Sequence, residues 1–151
     1  MSSAKFSVLV VEDEKLIARD ISRSISRVNS NFEVTAVASN GKDALDIIDE
    51  LLPNVVFTDI RMPVMDGLEL AKTINDKYDF IMCVILSGYN DFEYAKQAIH
   101  SNVMDYLLKP VNDKELSTVL GKIEKNLFAF QKDLDIENSL SPHRPEDIAG
   151  M

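Results

Sequence analysis

The chain has 151 residues, enough for one domain around a single core, and its 46% hydrophobic and 27% charged content is that of an ordinary globular protein. A formal net charge of −9 argues against direct nucleic-acid binding, since phosphates select basic surfaces, and suits a cation or a basic partner. No stretch approaches a membrane span, the N-terminal MSSAKFSVLV lacks a signal-peptide core, and the single cysteine, Cys83, permits neither an internal disulfide nor a cysteine-based zinc site, so a cytoplasmic location is expected.

Phe6–Val11 is a short apolar run, the pattern of a strand buried on both faces, and it ends at Glu12 and Asp13. Leu16, Ile17, Ile21, Ile25 and Val28 then recur at helical spacing until Asn29. Phe32–Ala38 reads as a second strand, and Asn40-Gly41 leads into a helix through Ala44, Leu45, Ile48 and Leu51 that stops before Pro53. The third strand, Val55–Thr58, delivers Asp59; a loop with Pro63 and Asp66-Gly67 precedes a helix of Leu68, Leu70, Ala71 and Ile74. The fourth strand, Ile81–Leu86, delivers Ser87, and Gly88 opens a loop to a helix of Phe92, Ala95, Ala98 and Ile99. Val103–Leu108 delivers Lys109-Pro110, after which Asn112 or Asp113 caps a last helix beginning near Lys114. Residues 1–130 are expected to form the main domain, and 131–151 a helical extension with an unstructured tail or linker.

A strand–helix unit repeated five times calls for an α/β fold with a parallel sheet and helices on both faces. Right-handed crossovers favour the doubly wound, flavodoxin-like strand order 2-1-3-4-5. In that order the first, third, fourth and fifth strands are neighbours, and these are the four whose ends carry Glu12, Asp13, Asp59, Ser87 and Lys109. Open α/β sheets hold their ligands at this carboxyl edge.

Three carboxylates brought together there repel unless a cation or protons neutralise them. All-oxygen donors without histidine or cysteine point to a hard divalent ion, Mg²⁺ or Mn²⁺. The plain alternative for Asp13 is a helix N-cap. A carboxylate beside such an ion can attack a phosphoryl group, so Asp59 is a candidate nucleophile. Lys109 offers a compact cation and Ser87 a hydroxyl for phosphoryl oxygens; the alternative for Lys109 is a snorkelling surface lysine. The Lys109–Pro110 bond is a candidate for the cis form, cheap only at X-Pro.

Four segments, VLVVEDE, VVFTDIRMPVMDGLEL, VILSGYNDFEYAKQAI and VMDYLLKPV, in that order and spacing, resemble the receiver domain of two-component response regulators. The resemblance covers Lys5 to Lys125. It implies that Asp59 is the phosphoacceptor and that Glu12 and Asp13 hold Mg²⁺, with Asp13 and Asp59 as direct ligands, Glu12 acting through water and the Arg61 backbone carbonyl as a third protein ligand. It also implies a switch role for Ser87 and for Tyr106, whose alternative is a half-buried strand tyrosine, and a phosphoryl-sensing role for Lys109. The expected partner is a sensor histidine kinase. The expected output is a change on the face of the fourth helix, fifth strand and last helix, making the chain a switch that assists its own phosphorylation and dephosphorylation rather than an enzyme. The motif wording is similar to receivers joined to an AraC-type helix-turn-helix domain, so transcriptional control is expected.

Leu116, Leu120, Ile123, Leu127, Phe130 and Leu134 alternate at spacings of four and three, a coiled-coil period. This suggests a homodimer seam, through this helix or through the output face, as an alternative to a core helix with a frayed apolar end. Two other functions use similar parts. An aspartyl-phosphate hydrolase of the haloacid dehalogenase class needs a second Asp where Arg61 stands. A nucleotide- or flavin-binding protein needs a glycine-rich loop where Glu12-Asp13-Glu14-Lys15 stands. A phosphorylation-independent pseudo-receiver would be expected to lack one of the acidic, phosphoacceptor or lysine positions, all of which are present.

Overall fold

Strands with no polar face cannot sit at a surface, and here they fill the middle of the sheet. In the computed structural model residues 6–88, 91, 93 and 103–140 are described, with side chains up to residue 129. The strands are β1 (Phe6–Val11), β2 (Phe32–Ala38), β3 (Val55–Asp59), β4 (Met82–Ser87) and β5 (Asp105–Leu108). They pair in parallel as β2-β1-β3-β4-β5, with helices on both faces, the architecture expected from the alternation of apolar runs and helical patterns. β3 is buried at every position, as an interior parallel strand must be. β2, at the edge, exposes Glu33, Thr35 and Val37. Its register against β1 slips at Thr35, since Val8 pairs with Val34 and Leu9 with Ala36.

The helices are α1 (Lys15–Val28), α2 (Gly41–Leu51), α3 (Gly67–Lys77) and a C-terminal helix (Asp113–Leu140). Three begin on side-chain caps: Asn40 Oδ1 accepts from the Asp43 N–H at 2.8 Å, Asp66 Oδ1 from the Glu69 N–H at 2.9 Å, and Asn112 Oδ1 from the Glu115 N–H at 2.7 Å. Asp13 does not cap α1: the cap position is Glu14, with no side-chain bond, and Asp13 is left exposed beside Glu12. Leu9, Val11, Val56 and Ile85 of the sheet form one core with Ile48 of α2 and Leu70 and Ile74 of α3, while Ile21 and Ile25 bury the inner face of α1.

β5 starts at Asp105, later than the apolar run from Val103 suggests. The predicted fourth helix, Phe92 to Ile99, lies outside the described residues except for Glu93, as does the tail after residue 140. The chain divides by contacts into two compact units, residues 1–119 and 120–151. In the first, Leu116 and Val119 of the C-terminal helix are buried. In the second, Leu120, Ile123 and Leu127 are buried and Phe128 is exposed. Phe130 and Leu134 fall on helical backbone whose side chains are outside the described residues.

Cys83 lies inside β4 and is buried, and burial pushes its thiol up to about 12. At pH 8 such a thiol is ionised in about one molecule in ten thousand. Iodoacetamide labelling followed by intact mass is therefore expected to be very slow in the native protein and fast in denaturant; equal rates in the two conditions would place Cys83 in an accessible position.

Candidate functional site

The site is built where strands end. β1 runs out into Glu12 and Asp13, and β3 ends on Asp59. Beyond Asp59 the ladder continues by one bond, from the Ile60 N–H to the Leu86 carbonyl at 2.9 Å, which fixes the end of β3 against β4. The chain then doubles back, and the Gly67 N–H donates to the Ile60 carbonyl at 2.8 Å. A Cβ at Gly67 would lie 2.3 Å from the Asp59 carbonyl oxygen, so only glycine allows α3 to start this close beneath the aspartate.

Carboxylate oxygens of Glu12, Asp13 and Asp59 lie within 4.8 Å of one another. Glu12 and Asp59 are buried, at 2% and 6% exposure, and Asp13 is exposed. Lys109 leaves the end of β5 and donates from Nζ to Glu12 Oε1 at 3.2 Å and to Asp59 Oδ1 at 3.1 Å. Its side chain is only 21% exposed, so it is not a snorkelling lysine. The Lys109 N–H donates to the Ser87 carbonyl at 2.7 Å, and the Lys109–Pro110 peptide is cis. Ser87 itself is fully buried, and its Oγ has no hydrogen-bond partner among the described residues. An unpaired buried hydroxyl costs stability on the order of 1–3 kcal/mol and calls for an explanation at its site.

Burial raises the Glu12 carboxyl above the usual carboxylate range; the Asp59 charge adds to this, while the Glu14 N–H bond and Lys109 oppose it. For Lys109, burial alone would lower the ammonium, but the bonds and charges of Asp59 and Glu12 outweigh burial and hold it above its ordinary value. The two directions describe one balance: more negative charge has been gathered than a single ammonium neutralises. The donors are all carboxylate oxygen, among described residues that bring no histidine or cysteine to the cluster, and this fits a hard divalent cation such as Mg²⁺.

The remaining candidates lie nearby. Tyr106 of β5 pairs in register with Ile85 of β4 and is partly buried against the core. The Arg61 side chain, 72% exposed, pairs through Nε with Asp91 Oδ1 at 2.8 Å, and Asp91 is 16% exposed. Asp91 was not singled out from sequence. Its only signal there is its place four residues after Ser87. A cavity of about 740 Å³ touches the site only through Glu12 and Asp13; the rest of its lining, including Lys15, Arg19, Val37 and Ile47, belongs to the region of α1, β2 and α2.

Residues 8–121 match the family model for the response regulator receiver domain. The chain is 37% identical over 128 residues to the transcriptional regulatory protein HptR of Staphylococcus aureus (strain N315), covering 83% of this chain and 49% of that protein. It is 32% identical over 143 residues to the uncharacterized transcriptional regulatory protein YesN of Bacillus subtilis (strain 168), covering 95% of this chain and 38% of that one. It therefore spans half or less of the length of these relatives. Among solved structures, the REC domain of AraT, a response regulator from Geobacillus stearothermophilus, superposes with a TM-score of 0.78 at 37% identity, covering 84% of this chain and 98% of that one. A response regulator receiver domain protein from Clostridium thermocellum gives 0.73 at 28% identity, covering 82% and 98%.

A doubly wound α/β signalling module with an acidic pocket at its carboxyl edge is the class of protein this fold and site define. The chain belongs to the response regulator receiver domain family. Receiver domains of response regulators are phosphorylated by sensor histidine kinases and bind Mg²⁺ at such a pocket.

The Glu12 shift has a definite sign for stability. Its folded-state value lies above the unfolded value of about 4.3, so between the two the folded protein holds the proton more tightly, and stability falls as pH rises through that window. In metal-free buffer Glu12→Gln is expected to raise the urea midpoint at pH 7, with the difference from wild type shrinking toward pH 4. A variant less stable than wild type at pH 7 would show that Lys109 outweighs burial and repulsion.

Proposed function

We propose that this chain is a phosphorylation-dependent switch in which Asp59 accepts a phosphoryl group from a sensor histidine kinase. The observation that carries this reading is the surroundings of Asp59: a buried carboxylate in an acidic cluster, an ammonium 3.1 Å away, and on the next strand a buried hydroxyl with no partner among the described residues. In the transfer an Asp59 oxygen forms the bond to phosphorus while the phosphorus–nitrogen bond of the donor histidine breaks, leaving the electron pair on the imidazole. Asp13 and Asp59, the Arg61 carbonyl and, through water, Glu12 would hold Mg²⁺, which supplies charge neutralisation for the transferring group.

Lys109 then exchanges carboxylate partners for phosphoryl oxygens, and the Ser87 hydroxyl gains the acceptor it lacks. The new group carries roughly −1.5 to −2 charges, which is sufficient to bias a two-state element. Tyr106, at the edge of the core, is the side chain proposed to turn inward and alter the output face. Loss of the phosphoryl group to water resets the switch, so the domain assists its own phosphorylation and dephosphorylation without being an enzyme in the ordinary sense. The phosphorylation-independent module is the weaker reading, because no element of the acidic cluster or its lysine is missing. An output domain of the transcriptional kind, AraC-type by the motif wording, is proposed for the longer protein, in keeping with relatives named as transcriptional regulators.

Incubation with phosphoramidate and Mg²⁺ followed by intact mass is expected to show one phosphate adduct that is absent in Asp59→Asn. Unmodified wild-type protein would sink the reading. Lys109→Ala should keep Mg²⁺ affinity within a few-fold while uncoupling phosphorylation from any change at the output face; collapse of metal binding would reassign the lysine.

The C-terminal helix is the proposed seam of a homodimer. Leu120, Ile123 and Leu127 are already covered within the chain, and the seam would lie where the same period continues, at Phe130 and Leu134 on helical backbone. Light scattering across a hundredfold range of concentration is expected to show a dimer that Phe130→Asp and Leu134→Asp together abolish. A monomer at every concentration, with or without the phosphoryl group, would remove this element of the reading.

A further inference from the structure

Thr58, the residue before Asp59, carries a hydroxyl with one proton and two acceptors in reach. The side chain is fully buried, and its Oγ1 donates to the Asp59 carbonyl oxygen at 3.0 Å. The second acceptor is Met62 Sδ, 3.9 Å from Thr58 Oγ1. A thioether is a weak acceptor, so the carbonyl holds the proton. That carbonyl is closely surrounded, since a Cβ at Gly67 would meet its oxygen at 2.3 Å.

Met62 is brought back to Thr58 by the loop between β3 and α3. The Met65 N–H donates to the Pro63 carbonyl at 2.8 Å across Val64, whose φ of 72° makes a tight three-residue turn. The turn gives its two thioethers different neighbours. Met65 is packed on the start of α2, where its Cβ, Cγ and Sδ each lie 3.0 Å from the position of a Cβ at Gly41. Met62 is half-buried and lines a cavity of about 460 Å³ between Arg61 and Glu69. A small uncharged oxidant such as hydrogen peroxide can enter there without repulsion from the neighbouring carboxylates.

We propose that Met62 is an oxidation site whose sulfoxide draws the Thr58 hydroxyl away from the Asp59 carbonyl and so slows phosphoryl uptake at Asp59. The effect on uptake rests on Asp59 being the phosphoacceptor, as proposed above; the oxidation does not. In the step a sulfur lone pair attacks one peroxide oxygen and the O–O bond breaks. The departing hydroxide takes the proton from the transferred oxygen and leaves as water, so sulfur loses the two electrons that the peroxide gains. The sulfoxide oxygen is a strong acceptor on a side chain that was apolar, and it closes a 3.9 Å gap to hydrogen-bonding range. The Asp59 carbonyl then loses the Thr58 proton, and the backbone that aims the phosphoacceptor for in-line attack is less firmly held. Met62 and Thr58 are positioning residues: neither touches the transferred group. A methionine sulfoxide reductase with a dithiol reverses the change, the oxygen leaving as water while two thiols become a disulfide.

The test treats the 151-residue chain with hydrogen peroxide and locates each added oxygen by tandem mass spectrometry of the digested protein. In native protein Met62 is expected to oxidise ahead of Met65; oxidation of Met62 only in denaturant overturns the site. Phosphoryl uptake from phosphoramidate and Mg²⁺, read by intact mass, should be about two- to tenfold slower after treatment, the worth of one hydrogen bond, and should recover with the reductase. Met62→Leu, compared with its own untreated sample, should show no slowing although its other methionines react. Thr58→Val keeps the shape and removes the hydroxyl, so it should be slow by the same factor before treatment and lose nothing more after it.

Unchanged uptake in wild type oxidised at Met62 overturns the proposal, as does equal slowing in treated Met62→Leu. A further loss in treated Thr58→Val also overturns it, by showing that the sulfoxide does not act through the hydroxyl. Untreated wild type that takes up no phosphate brings down the phosphoacceptor reading instead. The oxidation site is then judged by the order of oxidation and by the urea midpoint, which should fall in treated wild type and not in treated Met62→Leu; equal changes in the two overturn it.

Discussion

Like charges kept apart only by the frame that holds them are the central constraint on this molecule. Glu12, Asp13 and Asp59 are delivered to one place because their backbones belong to adjacent strands, and β1 and β3 cannot shift without unpairing a ladder buried on both faces. The sheet therefore imposes a repulsion that the side chains cannot relax. Lys109, arriving from the far end of the sheet, bonds two of the three carboxylates and offsets part of that cost. The incomplete offset leaves the pocket suited to further positive charge. On the proposed function, metal binding and responsiveness both follow from this one imbalance.

Much of the architecture was legible because its strongest signals are short-range. The runs of β1, β3 and β4 are uninterrupted because both faces are covered, and each ends abruptly in a polar residue because the strand ends at the solvent edge. Once right-handed crossovers set the order, Glu12, Asp13, Asp59, Ser87 and Lys109 had to converge. What could not be read depends on which backbone passes close to which. Gly67 looks like an ordinary helix-start glycine until the Asp59 carbonyl is found where its Cβ would stand. Arg61 and Asp91 are thirty residues apart and carry no pattern linking them. Asp13 has the right chemistry for a cap and the wrong position, since α1 begins one residue later, at Lys15 after Glu14. The onset of β5 was misplaced for a related reason, as Val103 and Met104 continue the apolar pattern without joining the strand.

The same frame also separates enclosed residues from those at its margins. Glu12 and Asp59 are enclosed, and the backbone on either side of Asp59 is bonded to β4 and to the start of α3. Ser87, Arg61 and Tyr106 lie where β4, β3 and β5 give way to loops or to the edge of the core. On the proposed function, chemistry is thus placed on bonded supports and response on adjacent segments. A carboxylate that must receive a group in line tolerates little drift, whereas a hydroxyl that must find a new oxygen has to travel.

The slip at Thr35 has a consequence for how this protein meets its neighbours. β2 is the long outer strand of the sheet, and an uninterrupted outer strand is a template on which another chain can add hydrogen bonds. Here the repeat is broken midway, and Glu33 stands exposed two residues before the break. An incoming strand would lose register at Thr35 and bring its backbone beside a carboxylate. At the opposite margin β5 is only four residues long. Both margins thus discourage growth of the sheet from molecule to molecule.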